Sequence, residues 1–243
     1  MSKLKTIFMG TPDFAVPCLE VLQAKTEVLA VITQPDRPKG RGHNLQASPV
    51  KQKALEYNLP VLQPEKIKTE EFTAELEKLQ PDLIVVVAFG QILSQRILDI
   101  PPLGCVNVHA SLLPRYRGAA PIHWSIINGE KETGVTTMLM DAGLDTGDML
   151  LKDKMAITEE MTTEELHDQL MAMGGKLLAE TIDGLANGTI TPEKQDDSIS
   201  NYAGMLNKET GHIDWRKSAG EIHNLIRGLN SWPVAWSMKD GKN

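Results

Sequence analysis

Aromatic side chains make up only 5% of the 243 residues, and cysteine is scarcer still, at Cys18 and Cys105 alone. A core so poor in rings must be built from Val, Ile, Leu and Met. Two cysteines this far apart lack the spacing of a zinc site, and both stand among apolar neighbours, as small buried hydrophobes of a reducing compartment do. Long hydrophobic runs are missing too. The longest, Leu83 to Phe89, falls far below the roughly 20 residues of a membrane-spanning helix, and Ile7-Phe8-Met9 is too short for a secretory signal. The expectation is a soluble, cytoplasmic protein. Basic charge is in deficit: a net charge of −7 excludes general coating of nucleic acid. No repeat or low-complexity tract is visible.

Strand and helix patterns alternate along the chain. Thr6–Met9 reads as a strand entering the turn Gly10-Thr11-Pro12, Phe14–Gln23 as a helix with Pro17 in its first turn, and Val28–Thr33 as a second strand. Such a βαβ unit predicts a parallel sheet. Helices follow at Pro49–Tyr57, Thr69–Leu79 and Pro121–Ile127, with strands at Leu59–Leu62, Leu83–Ala88, Val106–His109, Gly134–Met140 and Met149–Met155. Thr162 and Glu165 form a capping box for a helix ending near Gly188, and Ser218 with Glu221 caps another. The polar stretch Thr191–Ser200 reads as a linker, Val234–Ser237 as a strand, and Asp240-Gly241 as a hairpin turn. The fold class is α/β: a Rossmann-like, mostly parallel sheet with helices on both faces. Its first turn lacks the three-glycine dinucleotide fingerprint, which argues against a bound NAD or FAD.

The chemistry concentrates at one strand end. Cys105-Val106-Asn107-Val108-His109 alternates, so Asn107 and His109 share a face. An amide donor beside an imidazole suits a carbonyl that becomes an oxyanion while a proton is exchanged, which points to acyl-type transfer. A catalytic imidazole is commonly partnered by a carboxylate. The loop Asp141-Ala142-Gly143-Leu144-Asp145-Thr146-Gly147-Asp148 offers three, with Asp145 favoured, and spacing alone does not choose among them. Gly143 and Gly147 would let the backbone approach a planar ligand. The acidic spacing does not match a calcium-binding EF-hand, so no metal is expected. Residues 35–53 carry Arg37, Lys39, Arg41, Lys51 and Lys53 against Asp36 alone, and Pro38, Gly40 and Gly42 suggest a mobile loop that docks on phosphate. Arg115 and Arg117 form a second basic candidate.

Together these segments resemble the 10-formyltetrahydrofolate-dependent formyltransferases. The main signature runs from Asn107 through His109, Ser111-Leu112-Leu113-Pro114-Arg115-Tyr116-Arg117-Gly118 to Pro121, and the second is Asp141 to Asp148. The tRNA-acting branch is suggested by Phe8 to Ala15, Gln34 to Gly42, and Arg227-Gly228-Leu229-Asn230-Ser231-Trp232-Pro233. The resemblance implies direct attack of the α-amine of initiator methionyl-tRNA on the formyl group of 10-formyltetrahydrofolate, through a tetrahedral intermediate. It selects Asp145 as the partner of Asn107 and His109, with Asn107 and protonated His109 donating to the oxyanion and Asp145 holding His109. It places the folate against Phe89, Gly90, Gln91, Ile92 and Leu93 and the loop of Asp141 and Gly143, with Ser111, Leu112, Leu113 and Pro114 shaping the pocket. It assigns residues 1–189 to a catalytic domain, 190–207 to a linker, and 208–243 to the beginning of a C-terminal tRNA-binding β-barrel that the chain leaves incomplete. Arg37, Lys39 and Arg41 become tRNA contacts. The competing readings are a sister formyltransferase acting on an amino-sugar or purine-precursor amine, and a non-catalytic nucleotide-binding Rossmann module.

Overall fold

The computed structural model describes residues 3–39 and 44–238. Its elements, in chain order, are β1 (Lys5–Gly10), α1 (Val16–Lys25), β2 (Glu27–Ile32), β3 (Arg37–Lys39), β4 (Asn44–Gln46), α2 (Pro49–Glu56), β5 (Val61–Leu62), α3 (Glu70–Leu79), β6 (Leu83–Val87), α4 (Gln95–Leu98), β7 (Cys105–His109), α5 (Pro121–Ile127), β8 (Glu132–Leu139), β9 (Met149–Ala156), α6 (Thr163–Asn187) and α7 (Ala219–Gly228). A 3-10 turn, Asp13–Ala15, precedes α1, so Pro17 lies in that helix's first turn, where its missing N–H costs nothing.

A seven-stranded sheet of order β5-β2-β1-β6-β7-β8-β9 forms the centre. The first five run parallel, while β8 pairs antiparallel with both β7 and β9. Alternation divides its apolar side chains between two layers. Phe8, Val31, Leu83, Val85, Val106 and Val108 pack with residues of α1, α2 and α6, whereas Ile7, Met9, Ile84, Val86 and Cys105 face Phe72 and Leu76 of α3 and Ile97 and Leu98 of α4. Burial pushes both cysteine thiols up to about 12, so neither is a nucleophile near neutral pH. The fold class thus matches the expectation.

Both capping boxes form. Thr162 and Glu165 cap α6, which ends at Gly188 in the left-handed conformation (φ 65°), and Ser218 and Glu221 cap α7. Four local features differ from the sequence expectations or add to them. In the segment expected to be a loop, residues 37–39 pair antiparallel with 44–46 as a two-stranded ribbon. The four-residue helix α4 had no periodic signal to announce it. Val234–Ser237 is no strand: a single bridge joins His212 to Trp236. The stretch read as a linker, Thr191–Ser200, is tied to the sheet, because Glu193 exchanges backbone hydrogen bonds with Met149 (2.8 Å each way), and just beyond it Ala203 donates to the Arg117 carbonyl and accepts from the Ala120 N–H. The turn expected at Asp240-Gly241 lies outside the described residues.

The last helix docks on the sheet-bearing part of the molecule. Gly228 lies so close to Ile127 of α5 that a Cβ would collide, and its carbonyl accepts from Thr163 Oγ1 at 2.7 Å. Arg227 points inward, donating through Nη1 to the carbonyls of Thr158 and Met161.

Candidate active site

The chain leaves β1 in one direction towards β2 and β5 and then returns through β6 and β7, so the loops after β1 and β6 open a crevice at the carboxyl ends of the strands, where open α/β sheets bind ligands. Thr11 Oγ1 and Gln34 Nε2 both donate to the Phe89 carbonyl, at 3.2 and 3.1 Å, which ties the two loops together. Asn107 and His109 prolong the Cys105 face of β7 beyond the cover of α3 and α4. Their neighbours across the sheet are Val86 on β6 and Met138 and Thr136 on β8.

His109 is buried, with its Nε2 2.9 Å from the Tyr116 carbonyl. A carbonyl only accepts, so Nε2 carries the hydrogen and Nδ1 is left facing Asp145 Oδ2 at 3.8 Å. The ring's direct hydrogen bond is thus to a backbone carbonyl, and the Asp145 carboxylate faces its other nitrogen from just beyond direct hydrogen-bond distance. Tyr116 is itself held at several points. It sits at φ 60°, its N–H donates to Asn201 Oδ1, and its hydroxyl donates to Glu130.

Asp145 also has a left-handed backbone, at φ 54°. Its Oδ2 accepts from the Gly118 N–H at 2.8 Å, and its Oδ1 lies 3.5 Å from Asn107 Nδ2. Gly118 must lack a side chain, because at φ 113° its Cβ would strike the Tyr202 ring and the Ala203 carbonyl. The structure thus brings Asn107, His109 and Asp145 to one point. Asp141 turns away, accepting from Gly143 N (3.0 Å) and Thr146 Oγ1 (2.6 Å) within its own loop. Thr146 occupies the space a Cβ of Gly143 would take, and the Leu139 carbonyl that of Gly147, so both glycines serve closure of the loop itself. Among the described residues no group of three His, Cys, Asp or Glu side chains is arranged to hold a metal ion.

The residues expected around a folate divide into frame and face. Phe89, Leu93, Leu113 and Pro114 are buried, and Leu113 packs with Met138 and Met149. Ser111 Oγ donates to the Arg115 carbonyl, Leu112 packs beside Gly134, and Gln91 braces the preceding loop by accepting from Ile67 N. Gly90 and Ile92 are exposed, as is Leu144 in the Asp loop. Among the described residues no protein group pairs with the backbone N–H groups of Gly90, Gln91 and Ile92. Free N–H groups beside exposed apolar side chains fit the polar edge and flat face of a pterin.

The basic residues are only partly available. Arg37 is exposed on β3, Lys39 ends that strand, and Arg41 lies outside the described residues. Lys51 pairs with Asp36 at 2.6 Å, and Lys53 with Glu20 and Glu56, so neither is free for phosphate. Arg115 pairs with Glu130 and Arg117 with Asp197, which removes the second basic candidate.

Residues 4–182 match the family described as formyl transferase, and residues 205–243 match the formyl transferase C-terminal domain. The chain belongs to the formyl transferase family. Among curated relatives, the methionyl-tRNA formyltransferase of Clostridium perfringens is 62% identical over 238 residues, covering 98% of this chain and 77% of the relative. That of Pelobacter propionicus is 59% identical over 242 residues, covering 99% and 76%. Among solved structures, an N-formyltransferase from Helicobacter canadensis, in complex with folinic acid and dTDP-3-aminofucose, superposes with a TM-score of 0.75 at 25% identity, covering 99% of this chain and 85% of that one. Glycinamide ribonucleotide transformylase 1 from Symbiobacterium toebii shares the fold, with a TM-score of 0.65 at 18% identity over 80% of this chain and 95% of that one.

Within this candidate site, sequence reasoning missed the groups that hold Asn107, His109 and Asp145 in place. The Tyr116 carbonyl carries no side-chain identity to read. Asn201 and Gln195 lie in or beside the stretch read as a linker, yet Gln195 Nε2 donates to the carbonyls of Asp145 and Gly147, both at 2.8 Å. A polar stretch without periodicity gives no signal of such contacts.

Proposed function

We propose that this formyltransferase moves the formyl group of 10-formyltetrahydrofolate to the α-amine of methionine on initiator methionyl-tRNA, a reaction of the cytoplasm. The acceptor follows from relatives that carry this name at 56–62% identity along nearly the whole chain. The observation that carries the chemistry is the convergence of Asn107 Nδ2, His109 Nδ1 and Asp145 on one point at the carboxyl end of β7.

When bound, the folate supplies the formyl group, and the N–H groups of Gly90 to Ile92 with Ile92 and Leu144 are the residues that would hold its ring. Asn107 Nδ2 has a proton to donate to the formyl oxygen, and protonated His109 donates from Nδ1, the nitrogen the Tyr116 carbonyl leaves free. Both donors are fixed before reaction, so stabilising the developing negative charge requires little reorganisation. Asp145 stands beside both donors, with Oδ1 3.5 Å from Asn107 Nδ2 and Oδ2 3.8 Å from His109 Nδ1. Its carboxylate takes up the proton that the attacking amine loses, and that proton is passed on to the folate nitrogen, whose bond to the formyl carbon breaks as the tetrahedral intermediate collapses. The Gly118 N–H holds Oδ2, which fixes the carboxylate between the two donors.

The test is substitution. Asn107→Ala and His109→Ala are each expected to reduce turnover by about a hundredfold or more, the usual effect of removing one oxyanion donor, with an unchanged circular dichroism spectrum. Near-native turnover in either variant would remove that residue from the chemistry.

A further inference from the structure

We propose that Gln195 is a positioning residue of the reaction, acting by locking Asp145 in its left-handed conformation; this rests on the role given to Asp145 above. Gln195 Nε2 donates both its protons, one to the Asp145 carbonyl and one to the Gly147 carbonyl, each at 2.8 Å. Its Oε1 accepts from Arg117 Nε at 3.0 Å, and Arg117 is held in turn by Asp197 at 2.7 Å. Two residues earlier, the paired backbones of Glu193 and Met149 set the register that delivers the side chain.

The demand on this side chain is specific. It must donate twice on one side and accept once on the other, which an amide does and a carboxylate, ammonium or guanidinium does not. A non-glycine residue at positive φ costs free energy and persists only where its surroundings over-determine it. Asp145 is held from both ends: its carboxylate by the Gly118 N–H and its carbonyl by Gln195. Loss of the Gln195 clamp frees the peptide of Asp145 to rotate towards ordinary dihedrals, and the carboxylate then leaves Asn107 and His109. The same segment holds the other half of the site, because Asn201 accepts from the Tyr116 N–H through its side chain and from the Arg117 N–H through its carbonyl, and the Ala203 N–H donates to the Arg117 carbonyl. Residues 193–203 are thus part of the catalytic scaffold rather than a tether.

Gln195→Glu tests this on the whole chain, with wild type measured at each pH. The ionised carboxylate faces two carbonyls, so kcat is expected to fall about ten- to hundredfold near neutrality, the scale of a small misplacement of a reacting group. KM for the folate is expected to change much less than kcat, since Gln195 holds the Asp145 end of the loop and leaves the Asp141–Thr146 and Asp141–Gly143 bonds in place. As the pH is lowered, the protonated acid regains one donor, and kcat relative to wild type is expected to recover. Gln195→Leu, similar in bulk and without a donor, is expected to lose kcat with no such recovery. If the leucine variant does not fold, the glutamate series carries the test alone. Native kcat in Gln195→Glu at every pH, beside an inactive Asp145→Asn, would overturn the positioning role and leave Asp145 catalytic. A fully active Asp145→Asn would instead overturn the assignment of Asp145, and this proposal with it.

Discussion

Three polar side chains converge at the end of β7, and two of them divide their polar atoms between the fold and the chemistry. His109 gives Nε2 to the Tyr116 carbonyl and keeps Nδ1, while Asp145 is anchored through Oδ2 by the Gly118 N–H and turns its carboxylate to Asn107 and His109. Asp141, by contrast, has Oδ1 committed twice to its own loop. Asp145→Asn is therefore expected to lower kcat far more than Asp141→Asn, which loosens the loop and acts chiefly on folate KM; steady-state kinetics of the two variants decide this. Equal losses in kcat would mean that the loop, and not one carboxylate, matters. Asn107 and His109 were legible in the sequence because strand alternation puts residues two apart on one face. Asp145 could not be chosen from its neighbours by spacing, since its orientation comes from a backbone at φ 54°. It took the family resemblance to select it.

Helices and central strands were legible where local chemistry marks them. The capping boxes of α6 and α7 and the unbroken apolar run of β6 each carry their signal within a few residues. The β3–β4 ribbon was not legible, because its strands are three residues long and mostly polar. Nor was the 193–203 clamp, whose hydrogen bonds reach residues some 50 to 85 positions away. With Lys51 and Lys53 already ion-paired, the ribbon's Arg37 and Lys39 remain the candidates for tRNA phosphate. Replacing both by Ala is expected to reduce the slope of log affinity for tRNA against log salt by about one unit for each phosphate no longer neutralised, with folate binding unchanged. An unchanged slope would leave the ribbon without a role in phosphate binding.

At the scale of the whole molecule, the acidic chain and its polyanionic substrate are reconciled by placement. The basic ribbon follows β2, and the groups proposed to react lie at the end of β7, both on the carboxyl side of the parallel strands. A groove lined by Asp82, Arg96 and Asp99 lies at the opposite end of the sheet, and its one arginine is bound to Glu70 and Glu77. The docking of α7 through Gly228 and Arg227 was not legible, because a buried arginine and a tight glycine approach depend on residues far away in sequence. Acceptor choice is the point on which everything above turns. The decisive measurement is the rate of formyl transfer from 10-formyltetrahydrofolate by the native chain to initiator methionyl-tRNA, run beside a nucleotide-linked amino sugar and a purine-precursor amine. The expected result is formylated methionyl-tRNA and no formylated product from either small amine. Transfer to a small amine with methionyl-tRNA left unmodified would contradict it.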